Sequence, residues 1–239
     1  MWNNQKVSVV FPTYNEKKSI RAAIRDFFGS GHVDEIVVVN NNAAAGTSEE
    51  VRRTKAIEVF EERQGYGWAI QRGLKEATGD LIIISEPDGT FIGKDVAKLL
   101  AYSEDFDVVF GTRTSKNLIW EGANMGFFLK WGNYALAKMV EILYNTSLLT
   151  DVGCTMRLIK RNSLKKIQKY FTVGGSHFGV EMMLLIIKNK ISFMEIPINY
   201  KKRVGKSSVT GSKLKAFILG IVITLFVLKY RFKPLKKIK

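Results

Sequence analysis

Two polar, turn-forming segments, each directly behind a run of β-branched apolar residues, constrain the fold of this chain most strongly. Residues 11–16 (FPTYNE) follow the apolar run 7–10, and residues 86–89 (EPDG) follow the apolar run 81–84. In an open α/β sheet, ligands bind outside the carboxyl ends of the strands. The two segments are therefore expected to face one crevice. The carboxylates of Glu86 and Asp88, one residue apart, suit a divalent cation, which in turn suits a phosphorylated ligand.

Strand-like and helix-like patterns alternate through the first half of the chain. Predicted strands at 6–11, 34–40, 56–60, 80–85 and 106–110 alternate with predicted helices at 16–28, from 47, at 68–77 and at 94–102. This alternation predicts an α/β fold with a mostly parallel sheet flanked by helices. The second half is less regular, with predicted helices at 127–143 and 180–188, a polar loop at 150–157 and a strand at 192–200.

The positive charge is concentrated in the second half of the chain. The net charge is +15, yet residues 1–150 hold 17 Lys/Arg against 19 Asp/Glu, and residues 151–239 hold 20 Lys/Arg against three acids. The basic half also contains the apolar run 216–228 with lysines on both sides, a pattern that predicts attraction to an anionic membrane surface. No recognition-helix or base-stacking motif accompanies the charge, so we do not expect nucleic-acid binding.

The apolar run 216–228 would form a helix about 20 Å long, which is shorter than the roughly 30 Å core of a bilayer. It is apolar on all faces, which fits a purely surface-lying amphipathic helix poorly. A buried core helix is the alternative, and the lysine-rich ending disfavours it. A single cysteine, Cys154, excludes an internal disulfide framework and favours a reducing compartment.

The order of the motifs resembles family 2 glycosyltransferases with the GT-A fold. Each motif alone is weak, but their order over roughly residues 6–210 is specific. The later motifs are similar to those on the acceptor side of polyprenol-phosphate glycosyltransferases, the group that includes dolichol-phosphate mannose synthase. The segments that carry the resemblance are 11–16, 64–69, 79–80, 86–89, 111–113, 150–157, 195–197 and 202–207.

The resemblance implies a donor site for a UDP- or GDP-sugar with Mg²⁺ or Mn²⁺ as cofactor. Glu86 and Asp88 stand where the family has its metal-binding acids, and Asp88 matches the pattern better because the first acid is usually Asp; a plain turn is the alternative. The residues assigned to the nucleotide sugar are Pro12, Tyr14, Glu16, Asn40, Gln64, Gly67, Glu86 and Asp88.

Two of these donor assignments leave alternatives open. Residues 15–16 also suit a helix start, with Asn15 as the cap and Glu16 near the positive end of the helix dipole. The family usually has two aspartates after its second strand, whereas this chain has asparagines at 40–42. The base therefore stays open, and a non-catalytic relative stays an alternative.

On the acceptor side, the resemblance implies that basic residues bind the phosphate of a lipid. The residues assigned are Arg113, Arg157, Arg203, Lys206 and Ser207. Asp151 is either the base for a hydroxyl acceptor or, with a phosphate acceptor, a residue that positions Arg157 or the sugar. The catalytic residues are predicted to be Asp88, Asp151 and Arg157.

Together these features predict an inverting, membrane-associated glycosyltransferase that uses a dolichyl or undecaprenyl phosphate. The catalytic domain is expected at 1–212, with a nucleotide-sugar half at 1–112 and an acceptor half at 113–212, and a membrane anchor at 213–239. The catalytic domain is expected on the cytoplasmic face, and a homo-oligomer stays open. The alternatives are transfer to a saccharide or lipid hydroxyl, a nucleotidyltransferase, and a non-catalytic membrane-docking protein. The nucleotidyltransferase is disfavoured because residues 11–16 contain no glycine, whereas such enzymes usually have a glycine-rich loop after the first strand.

Overall fold

The computed structural model describes residues 1–123, 126–146, 149–205 and 212–234, and it contains a seven-stranded sheet. The strands are β1 (Val7–Thr13), β2 (Glu35–Asn40), β3 (Ile57–Phe60), β4 (Leu81–Ile84), β5 (Val108–Thr112), β6 (Arg157–Lys160) and β7 (Phe193–Pro197). Their order is β3-β2-β1-β4-β6-β5-β7, and every pairing is parallel except those of β6, which runs antiparallel to β4 and β5. The predicted mostly parallel α/β sheet is confirmed.

Helices cover both faces of the sheet. They are α1 (Ile20–Gly29), α2 (Thr47–Arg52), α3 (Tyr66–Glu76), α4 (Val96–Tyr102), α5 (Phe127–Tyr144), α6 (Arg161–Ile167), α7 (Phe178–Lys188) and α8 (Lys213–Phe232). Successive residues of a strand point to opposite faces, so Val9 and Phe11 pack with α1 and α4, whereas Val10 packs with α3 and α7. Burial on both faces explains why β1, β2 and β4 read as continuous apolar runs.

The following elements differ from the predictions in ways that have a physical reason. Helix α1 begins at Ile20, not at residue 16, because the carbonyl oxygen of Glu16 accepts from the amides of Ser19 and Ile20 in a preceding turn; Asn15 is therefore not its cap. Strand β6 was missed, since its four residues follow a long polar loop and pair antiparallel. The predicted strand 192–200 ends at Pro197.

Helix α8 is packed against the rest of the domain. Val227 is fully buried, and Ile223 and Tyr230 nearly so, in the same core as α5 and α7. Tyr144 Oη donates to the carbonyl oxygen of Val227 at 2.9 Å, and Arg231 Nε donates to that of Leu143 at 2.7 Å. The segment predicted as an anchor is thus also a core element. Within the described ranges, no helix is both long and apolar enough to cross a bilayer.

Glu35 ties together the ends of β1, β2 and β4 that lie opposite the predicted crevice. Its carboxylate accepts from Ser8 Oγ at 2.8 Å, Lys6 Nζ at 2.9 Å, and the amide and hydroxyl of Thr78 at 2.8 and 2.5 Å. Burial alone would raise the pKa of Glu35, but the hydrogen bonds, led by those of Thr78, outweigh it and lower the pKa to about 2. The ionised form therefore stabilises the fold.

We predict that Glu35→Gln destabilises the protein by about 3 kcal/mol at pH 7, because a shift of one pKa unit corresponds to about 1.4 kcal/mol. The stabilisation by ionised Glu35 is complete above the unfolded-state pKa near 4.5 and is lost as the pH falls toward 2. Urea unfolding across this range measures the difference between variant and wild type. Glu121→Gln, at an exposed position, is the control. A Glu35→Gln penalty that stays constant down to pH 2 would contradict the assignment.

Candidate functional site

A cleft of about 500 Å³ lies at the carboxyl ends of the parallel strands. Strands β1 and β4 are neighbours, with Val10 opposite Ile84, so the segments that follow them meet at this edge. The cleft is lined by eight of the residues predicted from the sequence: Pro12, Tyr14, Glu16, Gln64, Glu86, Arg113, Arg157 and Arg203. Residues far apart in the chain, predicted to serve donor and acceptor, therefore share one cleft.

The two acids after β4 share a single arginine. Nη2 of Arg203 lies 2.7 Å from Oε2 of Glu86 and 2.5 Å from Oδ2 of Asp88. Asp88 is 1% exposed, and its Oδ1 accepts from the amide and hydroxyl of Thr90 at 2.9 and 2.5 Å. Asp88 itself does not line the cleft, whereas Glu86 and Arg203 do. Arg203, predicted to bind the acceptor phosphate, is thus placed on the predicted metal ligands.

Each charge in this cluster alters the pKa of its neighbours. Burial raises the pKa of Glu86 to about 7, and the neighbouring Asp88 carboxylate adds to the shift, while Arg203 opposes it. Burial would lower the pKa of Arg203, but Glu86 and Asp88 outweigh it and the net shift is upward. Glu86 therefore stays ionised near neutral pH more readily with a cation close by.

The acids fit a hard divalent cation. Oδ2 of Asp88 is buried and makes no hydrogen bond, although it is in ion-pair contact with Arg203. Carboxylate oxygens are the ligands that Mg²⁺ prefers, and Mg²⁺ is commonly held by one or two carboxylates together with substrate phosphates. The residues that the structure describes contain no cluster of three or more His, Cys, Asp or Glu side chains suited to a metal. Glu86 and Asp88 would hold the ion, and a diphosphate and water would complete its coordination.

The segment after β1, predicted to bind the nucleotide, forms one edge of the cleft. Tyr14 is exposed at 45% of its surface, and the carboxylate of Glu16 accepts from the amides of Tyr14 and Asn15 at 2.6 and 2.7 Å. Burial raises the pKa of Glu16, against the effect of these amides. Glu16 therefore holds the shape of the turn at the edge of the cleft.

Asn41, not Asn40, faces the cleft after β2. The amide of Asn40 donates to Ser48 Oγ and Glu58 Oε1, both at 3.0 Å, and Asn40 does not line the cleft. Asn41 lines it, and its Oδ1 accepts from the amide of Gly65 at 2.8 Å and from Gln64 at 3.2 Å. The sequence predicted Asn40, the last residue of β2, as the ligand-binding residue, but the next residue, Asn41, is the one that lines the cleft.

Gly67 serves packing rather than access to a ligand. Its amide donates to the carbonyl oxygen of Gly174 at 2.8 Å, as does the amide of Trp68 at 3.2 Å. A Cβ at position 67 would lie 2.4 Å from the carbonyl oxygen of Val173 and 2.8 Å from Cβ of Phe178. Gly67 does not line the cleft. The assignment of Gly67 to the nucleotide sugar therefore does not fit the structure.

Asp151 holds Arg113 in a two-pronged ion pair. Its Oδ2 accepts from Nε of Arg113 at 2.8 Å and its Oδ1 from Nη2 at 2.9 Å, while the amides of Arg113 and Gly153 donate at 3.1 and 3.0 Å. Asp151 is 1% exposed and does not line the cleft, whereas Arg113 does. This geometry suits positioning of Arg113, rather than of Arg157 as predicted.

Glu195, which lies in the family motif 195–197 but was not assigned a role, supports the loop that carries Asp151. Its carboxylate accepts from the amide and hydroxyl of Thr150 at 2.6 and 2.7 Å and from the amide of Asp151 at 3.0 Å. Burial raises the pKa of Glu195 to about 7. An acid inside an otherwise apolar strand is the signal that could have indicated it.

Two backbone carbonyl oxygens hold the guanidinium of Arg157. Nη1 donates to Gly179 at 2.7 Å, Nη2 donates to Cys154, and the guanidinium lies 5.3 Å from the centre of the Phe110 ring. Burial lowers its pKa. Of the five N–H groups of a guanidinium, two are used in this way, so others remain for a ligand. Lys206 and Ser207 lie outside the described residues.

Helix α8 contributes an apolar wall to the cleft that was not predicted. Leu219 and Ile223 line the cleft together with Leu129 of α5. The opposite side of α8 carries exposed apolar side chains, which we call the apolar face of α8: Leu214, Phe217, Ile218, Ile221, Leu225, Leu228 and Phe232. The cleft thus combines acids, arginines and an apolar wall.

Comparison with known proteins gives the family of this chain. The family model described as "Glycosyl transferase family 2" matches residues 8–168. The dolichyl-phosphate hexose transferase of Haloferax volcanii is 26% identical over 224 residues, which is 93% of this chain and 92% of that protein. The low-salt glycan biosynthesis hexosyltransferase Agl6 of the same organism is 27% identical over 85% of this chain, but the match spans only 49% of that protein.

Solved structures agree on the fold. Glucosyl-3-phosphoglycerate synthase from Mycobacterium tuberculosis, in complex with Mn²⁺, UDP-glucose and phosphoglyceric acid, superposes with a TM-score of 0.75. The match covers 97% of this chain and 81% of that one at 15% identity, so it shows the fold alone. Since the family model covers more than half of the chain, this protein belongs to the family 2 glycosyltransferases and has their GT-A fold.

Proposed function

We propose that this protein transfers a hexose from a nucleotide sugar to a polyprenyl phosphate, such as dolichyl or undecaprenyl phosphate, with inversion at the sugar. The observation that carries the proposal is the composition of the cleft: Glu86, the arginines 113, 157 and 203, and the α8 residues Leu219 and Ile223 all line it. The acids suit the divalent cation of a sugar nucleotide, and the basic and apolar groups suit a lipid phosphate. The relative named as a dolichyl-phosphate hexose transferase supports the same acceptor class.

On the donor side, Glu86 and Asp88 would hold the divalent cation, and Pro12, Tyr14 and Asn41 line the part of the cleft open to the nucleoside. Bound there, the cation would neutralise the diphosphate of the leaving nucleotide. Tyr14, half-exposed at the rim, is free to pack against the base. The side-chain amide of Asn41 can bond to the edge of a base only by giving up one of its present hydrogen bonds, such as that with the amide of Gly65. Asn41 therefore does not identify the base.

On the acceptor side, Arg113 and Arg157 present their remaining N–H groups to the phosphate. Arg113 uses two of its five N–H groups on Asp151, and Arg157 uses two on carbonyl oxygens. An acceptor phosphate oxygen attacks the anomeric carbon in line, the bond to the nucleoside diphosphate breaks, and the nucleotide leaves with the electron pair. The configuration at the anomeric carbon is thereby inverted.

A phosphate acceptor needs no general base, since its second pKa is about 6. This agrees with Asp151, whose two oxygens already accept four hydrogen bonds and which does not reach the cleft surface. Transfer to a hydroxyl with Asp151 as base would require Asp151 to release Arg113. The geometry therefore favours the lipid phosphate over the hydroxyl acceptor.

Arg203 links the two halves of the reaction. In the structure its guanidinium neutralises Glu86 and Asp88, where the divalent cation would bind. A divalent cation held by the same carboxylates would be repelled by this guanidinium, so we expect Arg203 to turn away where the cation and the donor bind. The released guanidinium then adds to the positive charge available for the acceptor phosphate.

We further propose that the apolar face of α8 rests on the cytoplasmic surface of a membrane. One side of the helix is packed on α5 and α7, so the exposed side is available for lipid. Lys215, Lys229 and Arg231 on the same helix favour anionic head groups. Leu219 and Ile223 would connect this surface to the cleft.

The acceptor is tested by offering UDP- and GDP-hexoses with Mn²⁺ to the protein on vesicles that contain polyprenyl phosphate or the matching free polyprenol. Mass spectrometry of the lipid product measures transfer. We expect product from the phosphate only, and we expect Asp88→Asn to lower turnover by about a hundredfold or more, because the cation loses a charged ligand. Asp151→Asn and Arg113→Lys should both raise KM for the lipid phosphate by about tenfold, because each breaks the same fork. Equal rates on phosphate and alcohol would contradict the proposal.

If the metal displaces Arg203, the variant Arg203→Gln should bind Mn²⁺ about tenfold more tightly than wild type in the absence of nucleotide. In the variant, a charge-assisted contact worth roughly 1.5–3 kcal/mol no longer competes with Mn²⁺ for the carboxylates. Electron paramagnetic resonance of free Mn²⁺ at pH 8.5 measures this, above the pKa of about 7 of Glu86 in the wild type. The exposed neighbour substitution Lys202→Gln controls for the loss of one positive charge. Unchanged or weaker binding by Arg203→Gln would refute the exchange.

Membrane association is tested with a double substitution on the apolar face of α8, Phe217→Asp with Leu225→Asp. These side chains are 55% and 61% exposed, so the packing of α8 on the domain should survive. Sedimentation with phosphatidylglycerol-containing vesicles should fall by roughly tenfold or more, because two apolar anchors are lost. Tyr102→Asp, another exposed position, is the control and should sediment like wild type. Equal sedimentation of the double variant would exclude this face.

A further inference from the structure

Glu195, on the edge strand β7, receives three hydrogen bonds from two consecutive residues of one loop. Its Oε2 accepts from the amide and the hydroxyl of Thr150 at 2.6 and 2.7 Å, and its Oε1 accepts from the amide of Asp151 at 3.0 Å. Glu195 lies opposite Phe110 of β5 in the sheet, whereas residues 150 and 151 belong to the loop before β6. The carboxylate therefore attaches this loop to the sheet beside the end of β5.

The hydroxyl of Thr150 extends these contacts to both neighbours of Arg113. Thr150 Oγ1 lies 2.8 Å from the hydroxyl oxygen of Thr112 and 3.0 Å from that of Thr114, and these two oxygens are 2.9 Å apart. A hydroxyl has one hydrogen to donate. Since Thr150 donates its hydrogen to Glu195, it can only accept from Thr112 and Thr114. An ionised Glu195 thus sets the direction of the hydrogen bonds to Thr150.

Arg113 is therefore connected to Glu195 along two routes. One route runs through the three threonine hydroxyls to the backbone on either side of Arg113. The other runs through the amide of Asp151, whose carboxylate holds the guanidinium of Arg113 at 2.8 and 2.9 Å. Both routes start at one carboxylate, and the side chain at their end is 11% exposed and lines the cleft.

Stability does not explain an acid at this position. Burial raises the pKa of Glu195 to about 7, against the opposing effect of its hydrogen bonds. The ionised form is thus less favourable in the fold than in water, and stability falls as the pH rises from 4.5 to about 7. The charged groups that face it are Asp151, which is paired with Arg113, and Lys138 of α5, which is paired with Glu141. An acid kept here despite this cost points to a role in function.

We propose that Glu195 is a positioning residue that fixes Arg113 for binding the phosphate of the acceptor. The inference rests on the proposed function, which gives Arg113 that role. Glu195 does not line the cleft, so it acts through Thr150 and Asp151. An ionised Glu195 accepts from all three donors of the loop. A protonated Glu195 has a hydrogen of its own to donate, and Thr150 can accept it only by redirecting its own hydrogen, which reverses the hydrogen bonds to its neighbours.

The test measures kcat and KM of Glu195→Gln with polyprenyl phosphate on vesicles and with the nucleotide hexose that wild type uses. The variant keeps the shape of the side chain but presents an NH₂ group to the donors of the loop. At pH 8.5 we expect KM for the lipid phosphate to rise about tenfold, while kcat and KM for the nucleotide sugar change less than about twofold. Glu49→Gln, which replaces an exposed acid of α2, is the control and should behave like wild type.

The pH dependence separates this role from a merely structural one. At pH 6 the Glu195 of wild type is itself mostly protonated, so the ratio of the two KM values for the lipid phosphate should approach one. Titration of the acceptor phosphate and of Glu86 affects both proteins alike and cancels in the ratio. A structural defect of the variant would persist at both pH values.

Substitutions of Thr150 test the same network without changing a charge. Thr150→Val removes the hydroxyl and keeps the volume, so it should also raise KM for the lipid phosphate. Thr150→Ser keeps the hydroxyl and should behave like wild type. The double variant Glu195→Gln with Thr150→Val should lose less than the product of the two single effects, because both changes break one network. If Glu195→Gln does not fold, the two Thr150 variants decide the question.

A KM for the lipid phosphate that is unchanged in Glu195→Gln at pH 8.5 would overturn the inference. So would an increase that is equally large at pH 6, or equal losses in Thr150→Ser and Thr150→Val. If wild type makes no product from polyprenyl phosphate, the proposed function fails and the inference fails with it. Product from wild type together with an unchanged KM in the variants would refute the role of Glu195 alone.

Discussion

Two buried carboxylates one residue apart require a positive charge, and the cleft is organised around that requirement. Asp88 is almost completely buried and Glu86 mostly so, and Arg203 contacts both. The backbone supports this contact, since the amide of Val204 donates to the carbonyl oxygen of Asp88 and the amide of Lys201 to that of Thr90, both at 2.8 Å. The segment that carries Arg203 is therefore attached to the turn that carries the acids. Removing the arginine from a buried ion pair of this kind is costly unless another cation takes its place.

Further acids hold the remaining parts of the cleft. Asp151 positions Arg113, Glu195 holds the loop that contains Asp151, and the fully buried Glu181 accepts from the amides of Thr172 and Val173 at 2.9 to 3.1 Å. The last contact shapes the loop whose Gly174 receives the amides at the start of α3. Such hydrogen-bonded supports limit the freedom of the side chains that would touch substrate. Of the arginines in the cleft, Arg113 is held directly by one of these acids.

The parts of the fold that local pattern determines were predictable, and those that depend on distant pairing were not. Strands β1 and β4 and their polar turns are visible in the sequence because burial on both faces demands unbroken apolar runs. Strand β6 was missed because four residues carry little signal and its antiparallel pairing is a property of the sheet. Helix α8 was read as a separate anchor, since nothing local reveals that Val227 packs against α5 and α7.

For the site, the chemistry of the residues was predictable but not their partners. Eight predicted residues line the cleft, because acids, arginines and turn residues of the family motifs cluster at strand ends. The motifs did not reveal that Arg203 faces the acids, that Asp151 is used by Arg113, or that the glycine at 67 is needed for the approach of α3 to α7. Each of these contacts joins residues more than thirty positions apart, and such contacts are specified by the fold as a whole.

The central claim is that the acids after β4 exchange Arg203 for a divalent cation that carries the donor. Diffraction at the manganese absorption edge from crystals grown with Mn²⁺ and UDP or GDP tests it most directly. We expect an anomalous peak in contact with the carboxylates of Asp88 and Glu86 and with the diphosphate, and a guanidinium of Arg203 that has left both acids. A peak elsewhere in the protein, or a bound diphosphate with Arg203 still on both carboxylates, would contradict it.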